Sequence, residues 1–284
     1  MKQLTALMLA LLVAGCGRDP GYQAYKAYVA EHLSKLQYVD AAGAVINRPD
    51  FTADYSHLPD FAAIEDTRER KQAFFDYLRP AVEFRNALNE ERRLLLGAVK
   101  LRLEHGLPLS GADQQFVADM ALRYRVPEGL TLDEMVLVLE RRLDIIPASM
   151  VLAQAALESG WGSSRFAREA NNLFGQWCFD EGCGLVPSNR RQGAKHEVAA
   201  FETVDAAIAS YFRNINTHPV YEPARDIREA ARSEAGSLSG TQMAEGLLRY
   251  SERGEDYIDE VRAVIRINGL EGPGATEAPP SGRG

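Results

Sequence analysis

From Phe61 onward, apolar residues recur every three or four positions: Ile64, Phe74, Phe75, Leu78, Val82, Phe84 and Leu88. That spacing predicts an amphipathic helix, with Pro80 ending or kinking it. Upstream, Tyr22, Tyr25 and Tyr28 share helical spacing, while Asn47-Arg48-Pro49-Asp50 and His57-Leu58-Pro59 are breakers. Helical spacing continues from Leu94 to Leu103 and stops at His105-Gly106-Leu107-Pro108. Ser110 is placed to cap a helix carrying Phe116, Met120 and Leu122, and Thr131 one running from Met135 to Leu143. Met150 to Leu157 is apolar on every face, with Pro147 at its opening, so this helix belongs in a core. Residues 175–201 lose the helical period and read as a loop with a small hairpin. Beyond them, one helix starts at Asp205 with Ile208, Tyr211, Phe212 and Ile215 on one face. A short one spans Gly240 to Tyr250, and the last, Glu255 to Ile267, ends at Asn268-Gly269. The fold class is therefore mainly α (α+β), with one small β element.

Composition narrows the partners. An apolar content of 46% with 25% charged residues fits an ordinary globule. A net charge of −8 opposes non-specific nucleic-acid binding, so no nucleic-acid partner is expected. Residues 271–284 have the Gly, Pro and Ala content of a disordered tail.

The amino terminus reads as an address. The apolar run Leu4 to Val13 follows Lys2 and leads into Val13-Ala14-Gly15-Cys16. It is shorter than the roughly 20 residues needed to span a bilayer, and marks residues 1–15 as a signal peptide. The last four residues resemble a bacterial lipobox, which implies lipidation of Cys16 and a membrane partner. Gly17, not Asp, follows Cys16, which under enteric-type sorting allows transfer to an outer membrane, facing the periplasm. With Cys16 so used, Cys178 and Cys183 remain, separated by four residues. In an oxidising compartment such a pair reads as a local disulfide, and two thiols with no matching pair make a poor zinc site. No metal and no cofactor is expected.

The chemistry centres on Val151-Leu152-Ala153-Gln154-Ala155-Ala156-Leu157-Glu158-Ser159-Gly160-Trp161-Gly162. Glu158 closes a buried helix that Gly160 must break. Desolvation there disfavours the anion and raises the carboxyl pKa, as a general acid for glycosidic cleavage requires. Trp161 offers an apolar wall or a sugar-stacking face. On spacing alone, Glu158 as an exposed cap and Trp161 as core filling stay open. His196-Glu197 starts a metalloprotease-like pattern, but Ala200 stands where the second histidine belongs.

Gln154 to Gly162 resembles the signature of the bacterial N-acetylglucosaminidases of glycoside hydrolase family 73. Asn171-Asn172-Leu173-Phe174-Gly175, Gln176-Trp177-Cys178, His196-Glu197-Val198-Ala199, Asn214-Ile215-Asn216-Thr217-His218-Pro219 and Tyr250-Ser251-Glu252-Arg253-Gly254 resemble the Bax-type proteins of Gram-negative bacteria. The likeness runs from about Leu58 to Leu270. It implies a lysozyme-like helical domain with a small β-hairpin lobe over 145–270, preceded by a lipid-anchored linker (16–57) and a helical region (58–144).

The resemblance implies a hydrolase of β-1,4 bonds at N-acetylglucosamine, with peptidoglycan glycan strands as partner. It makes Glu158 the acid and matches Tyr250 to the family's cleft tyrosine, although Ser251-Glu252-Arg253 departs from the usual run after it. A second carboxylate on the β lobe is implied, and Glu197 is the favoured match over Glu181 and Glu202. Trp161, Asn171, Asn172, Phe174, Trp177 and Tyr257 are the candidates for substrate binding, with capping or turning left open for the two asparagines and core packing for Trp177. Other readings of the same motifs are a lytic transglycosylase and a non-catalytic tether between membrane and wall. Protein partners are left unspecified.

Overall fold

The structure is a computed structural model. It describes residues 54–188, 190, 193, 195–233 and 237–271, with the backbone of two short strands, Tyr38–Val39 (β1) and Val45–Ile46 (β2). β1 and β2 pair antiparallel, Tyr38 opposite Ile46. Cys16, the signal segment, nearly all of the linker and the tail after 271 lie outside the described residues.

The chain forms two compact units. One contains Leu88–Asp144 and the other Phe51–Ala87 with Ile145 onward. Helix α1, Thr67–Glu104, contributes its start to the second unit and its remainder to the first. Pro80 lies inside α1 rather than ending it. The N–H it lacks would have bonded the Asp76 carbonyl, and both residues are on the exposed face, so that carbonyl is not left in the core.

In the Leu88–Asp144 unit, α2 (Gly111–Arg123) and α3 (Leu132–Arg142) each start in a capping box. Ser110 pairs reciprocally with Asp113, and Thr131 with Glu134. Each box satisfies donors that the first helical turn leaves open. Leu96, Val99, Val117, Met120, Tyr124, Val136, Leu139 and Leu143 form its core.

The larger unit is built around α4, Ala148–Ser159, whose residues 149–156 are all buried. Ala153, Ala155 and Ala156 keep its surface slim, so neighbouring helices approach closely. α9 (Glu255–Ile267) packs along it, burying Tyr257, Ile258, Val261 and Ile265. α5 (Arg165–Ala170), α6 (Val204–Thr217), α7 (Glu222–Ser233) and α8 (Gly240–Met243) complete the helical set. The first segment of this unit belongs to the same core: Phe61, Phe74, Leu78 and Val82 join Ile146, Met150 and Leu173.

The β lobe is a three-stranded antiparallel sheet in the order β3-β5-β4. β3 is Trp177–Cys178, β4 Gly184–Leu185 and β5 Glu197–Ala199. Its expected hairpin takes a particular form: β3 and β4 do not pair with each other but flank β5. The loop between them carries a Cys178–Cys183 disulfide with the Cα atoms 6.2 Å apart. The mainly-α class with a small β lobe is thus the observed one.

Candidate active site

Toward its end α4 carries the polar side chains Gln154, Glu158 and Ser159. The first two are four residues apart and therefore lie on one face. The helix stops at Gly160, which adopts the left-handed conformation (φ 57°, ψ 49°) that glycine accepts without steric cost. Ser159 Oγ donates to the Ala155 carbonyl at 2.5 Å and accepts from Gly162 N at 2.9 Å, fixing the turn.

Glu158 is half-buried. Its Oε1 accepts a hydrogen bond from the Tyr257 hydroxyl at 2.8 Å. Its Oε2 faces Gly175: a Cβ there would sit 3.2 Å from that oxygen, and φ is +61°. Burial raises the carboxyl pKa above the ordinary glutamate range; the Tyr257 bond and Arg253 pull it down, and Glu260 adds a smaller upward push.

A closed circuit of contacts surrounds this acid. Gln154 Nε2 donates to the Tyr257 hydroxyl oxygen at 3.0 Å, and the Tyr211 hydroxyl donates to Gln154 Oε1. The Tyr211 ring stacks on Phe174 at 4.2 Å, and the Phe174 carbonyl accepts from the Tyr250 hydroxyl at 2.8 Å. Tyr250 in turn stacks on Tyr257 at 5.4 Å, with the planes 5° apart. Tyr221 lies 5.8 Å from Tyr250. Burial pushes the pKa of all four tyrosines up, so they serve as neutral hydrogen-bonding groups. The Arg253 guanidinium covers the outer face of the cluster, 5.4 Å from the Tyr257 ring and 2.5 Å from Glu260 Oε1.

Of the residues singled out in the sequence, Glu158, Tyr257, Tyr250 and Phe174 come together here. Tyr257, matched only to substrate binding, is the group bonded directly to Glu158. Glu197 makes different contacts. It is buried in β5, and its two oxygens accept from Gly182 N at 3.2 Å and Gly184 N at 2.9 Å. Both oxygens brace the disulfide loop. The carboxylate and the two sulfurs lie within 4.8 Å of one another, and the sulfurs are bonded to each other rather than offered as thiolate ligands.

Asn171 and Asn172 turn inward. Asn171 ends α5 with φ 51° and donates to the carbonyls of Ser56 and Phe201. Asn172 donates to the Gln176 and Ala199 carbonyls and accepts from the amides of Phe174 and Gln176. It builds the loop that presents Gly175 to Glu158. Trp177 is exposed and stacks on His196 at 4.0 Å, an open platform on the β lobe. Trp161 is half-buried beneath the Lys71 ammonium, 4.4 Å from its ring. Gln154, Tyr211, Tyr221 and Gly175 join the site without having been candidates from sequence. The available signal was Gln154, an amide one turn before Glu158 in an otherwise apolar run.

Residues 134–270 match the glucosaminidase family model, described as mannosyl-glycoprotein endo-beta-N-acetylglucosaminidase. The chain is 33% identical over 219 residues to "Protein bax" of Escherichia coli (strain K12), covering 76% of each. The catalytic domain of the autolysin Auto from Listeria monocytogenes aligns with 74% of this chain and 90% of its own, at 15% identity and a TM-score of 0.35.

Proposed function

Because this chain belongs to the family of Bax-type proteins with a glucosaminidase domain, we propose that it hydrolyses β-1,4 bonds of peptidoglycan at N-acetylglucosamine, with Glu158 as general acid. A glucosaminidase domain makes it a glycosidase related to peptidoglycan hydrolases. The observation that carries the finer reading is the setting of Glu158. Desolvation raises its pKa while one oxygen is held by Tyr257 and the other faces the small Gly175. An acid so placed keeps its proton at a higher pH than an exposed glutamate and has one oxygen free of protein hydrogen bonds among the described residues.

In the reaction, the Glu158 proton passes to the leaving glycosidic oxygen as the bond to the anomeric carbon breaks. With both Glu197 oxygens engaged by backbone amides, the attacking group we favour is the substrate's own acetamido oxygen. Substrate assistance of this kind is known among glycosidases. Water then opens the cyclic intermediate and returns a proton to Glu158. Trp177 supplies an exposed face on which a sugar ring can stack.

Digestion of purified sacculi tests the reading. Expected products end in reducing N-acetylglucosamine, released with retained anomeric configuration, and they form about 10²–10⁴ times more slowly with Glu158→Gln. Anhydro ends would make the protein a transglycosylase, and inversion would require a base in place of the acetamido group. We further propose an outer-membrane anchor through Cys16. Fractionation of Cys16→Ser should move the protein from membrane to soluble fractions; an unchanged distribution would rule the anchor out.

A further inference from the structure

Tyr211 makes no hydrogen bond to Glu158 but is joined to it through Gln154 and Tyr257. We propose that Tyr211 and Gln154 are positioning residues that lock the Tyr257 O–H onto Glu158 Oε1, so that the transferable proton is carried on Oε2, beside Gly175; this rests on the reading of Glu158 as the acid.

A glutamine amide has one donating and one accepting end, and only the hydrogen-bond network decides which faces which partner. Tyr211 is fully buried among apolar side chains, with Gln154 Oε1 accepting from its hydroxyl. Turning the amide around would place its NH2 against Tyr211 and leave the phenolic proton without an acceptor in the core. A buried donor left unsatisfied is strongly disfavoured. Gln154 Oε1 is therefore fixed toward Tyr211, and Nε2 toward Tyr257.

With an N–H pointing at its oxygen from one side, the Tyr257 hydroxyl directs its own proton the other way, to Glu158 Oε1 at 2.8 Å. An oxygen that already accepts this bond is the poorer place for the acid proton. Oε2 faces the space that Gly175 leaves open, so it is the oxygen from which a proton can leave.

The titratable and charged groups facing Glu158 are Tyr211, Tyr221, Tyr250, Tyr257, Arg253 and Glu260. Among them, Tyr257 alone donates a hydrogen bond to the Glu158 carboxylate in the described residues. Losing that donated bond removes a stabilisation of the anion, so Glu158 must then hold its proton to higher pH.

The test is a carbon-13 NMR titration of the Glu158 carboxyl in the full chain, alongside the pH profile of sacculus digestion. Tyr257→Phe is expected to move the titration upward. Tyr211→Phe, which removes one distant hydroxyl, is expected to move it in the same direction. In the double variant the midpoint should be that of Tyr257→Phe alone, because Tyr211 acts only through Tyr257. A purely structural role for Tyr211 would lower thermal stability without moving the midpoint. Should Tyr211→Phe not fold, NOEs from the Gln154 side-chain NH2 in the wild-type protein take its place: cross-peaks to the Tyr257 ring are expected, and cross-peaks to the Tyr211 ring alone would overturn the inference. A folded Tyr211→Phe that titrates like the wild type, or an additive double variant, would overturn the inference. If the variants show these shifts while the wild-type protein digests no sacculi, the glycosidase reading is refuted and the relay stands.

Discussion

Glu158 and Glu197 are the same side chain in opposite settings. Glu158 sits at the end of an apolar helix with one hydroxyl donor and one open side. Glu197 lies inside a small sheet, with both oxygens taken by backbone amides. A carboxylate pinned at both oxygens is a structural acceptor, and one that is desolvated but only half-bonded is poised to exchange a proton. Sequence motifs contain both glutamates, and only their partners separate the two jobs.

The sharpest way to break this comparison is to neutralise each acid in turn. Glu158→Gln keeps the shape and the bond from Tyr257 but removes the proton. The expected loss is about 10²–10⁴ in digestion rate, the usual contribution of a general acid. The same substitution should make the protein more stable at neutral pH. Burial raises the folded-state pKa of Glu158 above the ordinary glutamate value of 4.5. The folded state then holds a proton that the unfolded chain has released, so wild-type stability falls as pH rises from about the unfolded value through the folded one. Melting curves across the acid-to-neutral range should therefore show the variant gaining on the wild type as pH rises. A variant that is less stable at neutral pH would contradict the burial argument.

Gly175→Ala probes the open side of the acid. A Cβ 3.2 Å from Oε2, on a backbone at φ +61°, must displace the carboxylate or the loop. Displacements of about an ångström near reacting atoms cost roughly ten- to a hundredfold. Unchanged kinetics would mean that Oε2 does not work from that side.

Glu197→Gln comes next. In the amide an NH2 replaces one of the two accepting oxygens and faces a backbone N–H that it cannot accept from, so the β lobe should lose about 1–3 kcal/mol, while the digestion rate falls by no more than about tenfold. A rate loss equal to that of Glu158→Gln would restore Glu197 as the second catalytic group. The smallest effect on rate is expected from replacing Cys178 and Cys183 together by serine. Opening so short a loop costs stability of about 2 kcal/mol in the chain-entropy view. Glu197 still braces the lobe from the other side, so digestion by the folded protein should hold. A collapse of activity in folded material would show that the disulfide, not Glu197, holds the lobe in shape.

Much of the helical layout was legible because its signals are local. The caps at Ser110 and Thr131, the stop at Gly160 and the last helix to Ile267 stand in the structure where the sequence puts them. α7 escapes such a reading for a physical reason. Its buried face is Ala224, Arg225 and Arg228, with Arg225 donating to the Ile215 and His218 carbonyls and Arg228 to Ile145 O and Asn216 Oδ1. Periodicity searches look for apolar faces, and this one buries guanidinium groups against carbonyls.

Glu158 was legible as a carboxyl group closing a buried helix, but its surroundings were not. Tyr211 had the spacing of a core residue, and it is one; only the partner of its hydroxyl gives it a further role. Asn171 and Asn172 show the converse. Amide side chains suit sugars and peptide carbonyls equally well, and here both serve the backbone.

Asn86 gives the architecture a property of its own. Its side-chain amide donates to the Ile146 carbonyl at 2.7 Å and accepts from the Ile146 amide at 3.0 Å. This reciprocal pair, within the larger unit, joins the point where the chain leaves that unit to the point where it returns. Everything between is an excursion whose ends are already side by side. The entropy of closing such a loop grows only with the logarithm of its length. The larger unit is thus expected to tolerate excursions of different length, provided Asn86 and Ile146 can meet. The seam works as a socket: a chimera that carries another helical insert between Asn86 and Ile146 is expected to keep the contacts around Glu158, and loss of its digestion activity in folded material would show that the insert shapes the site.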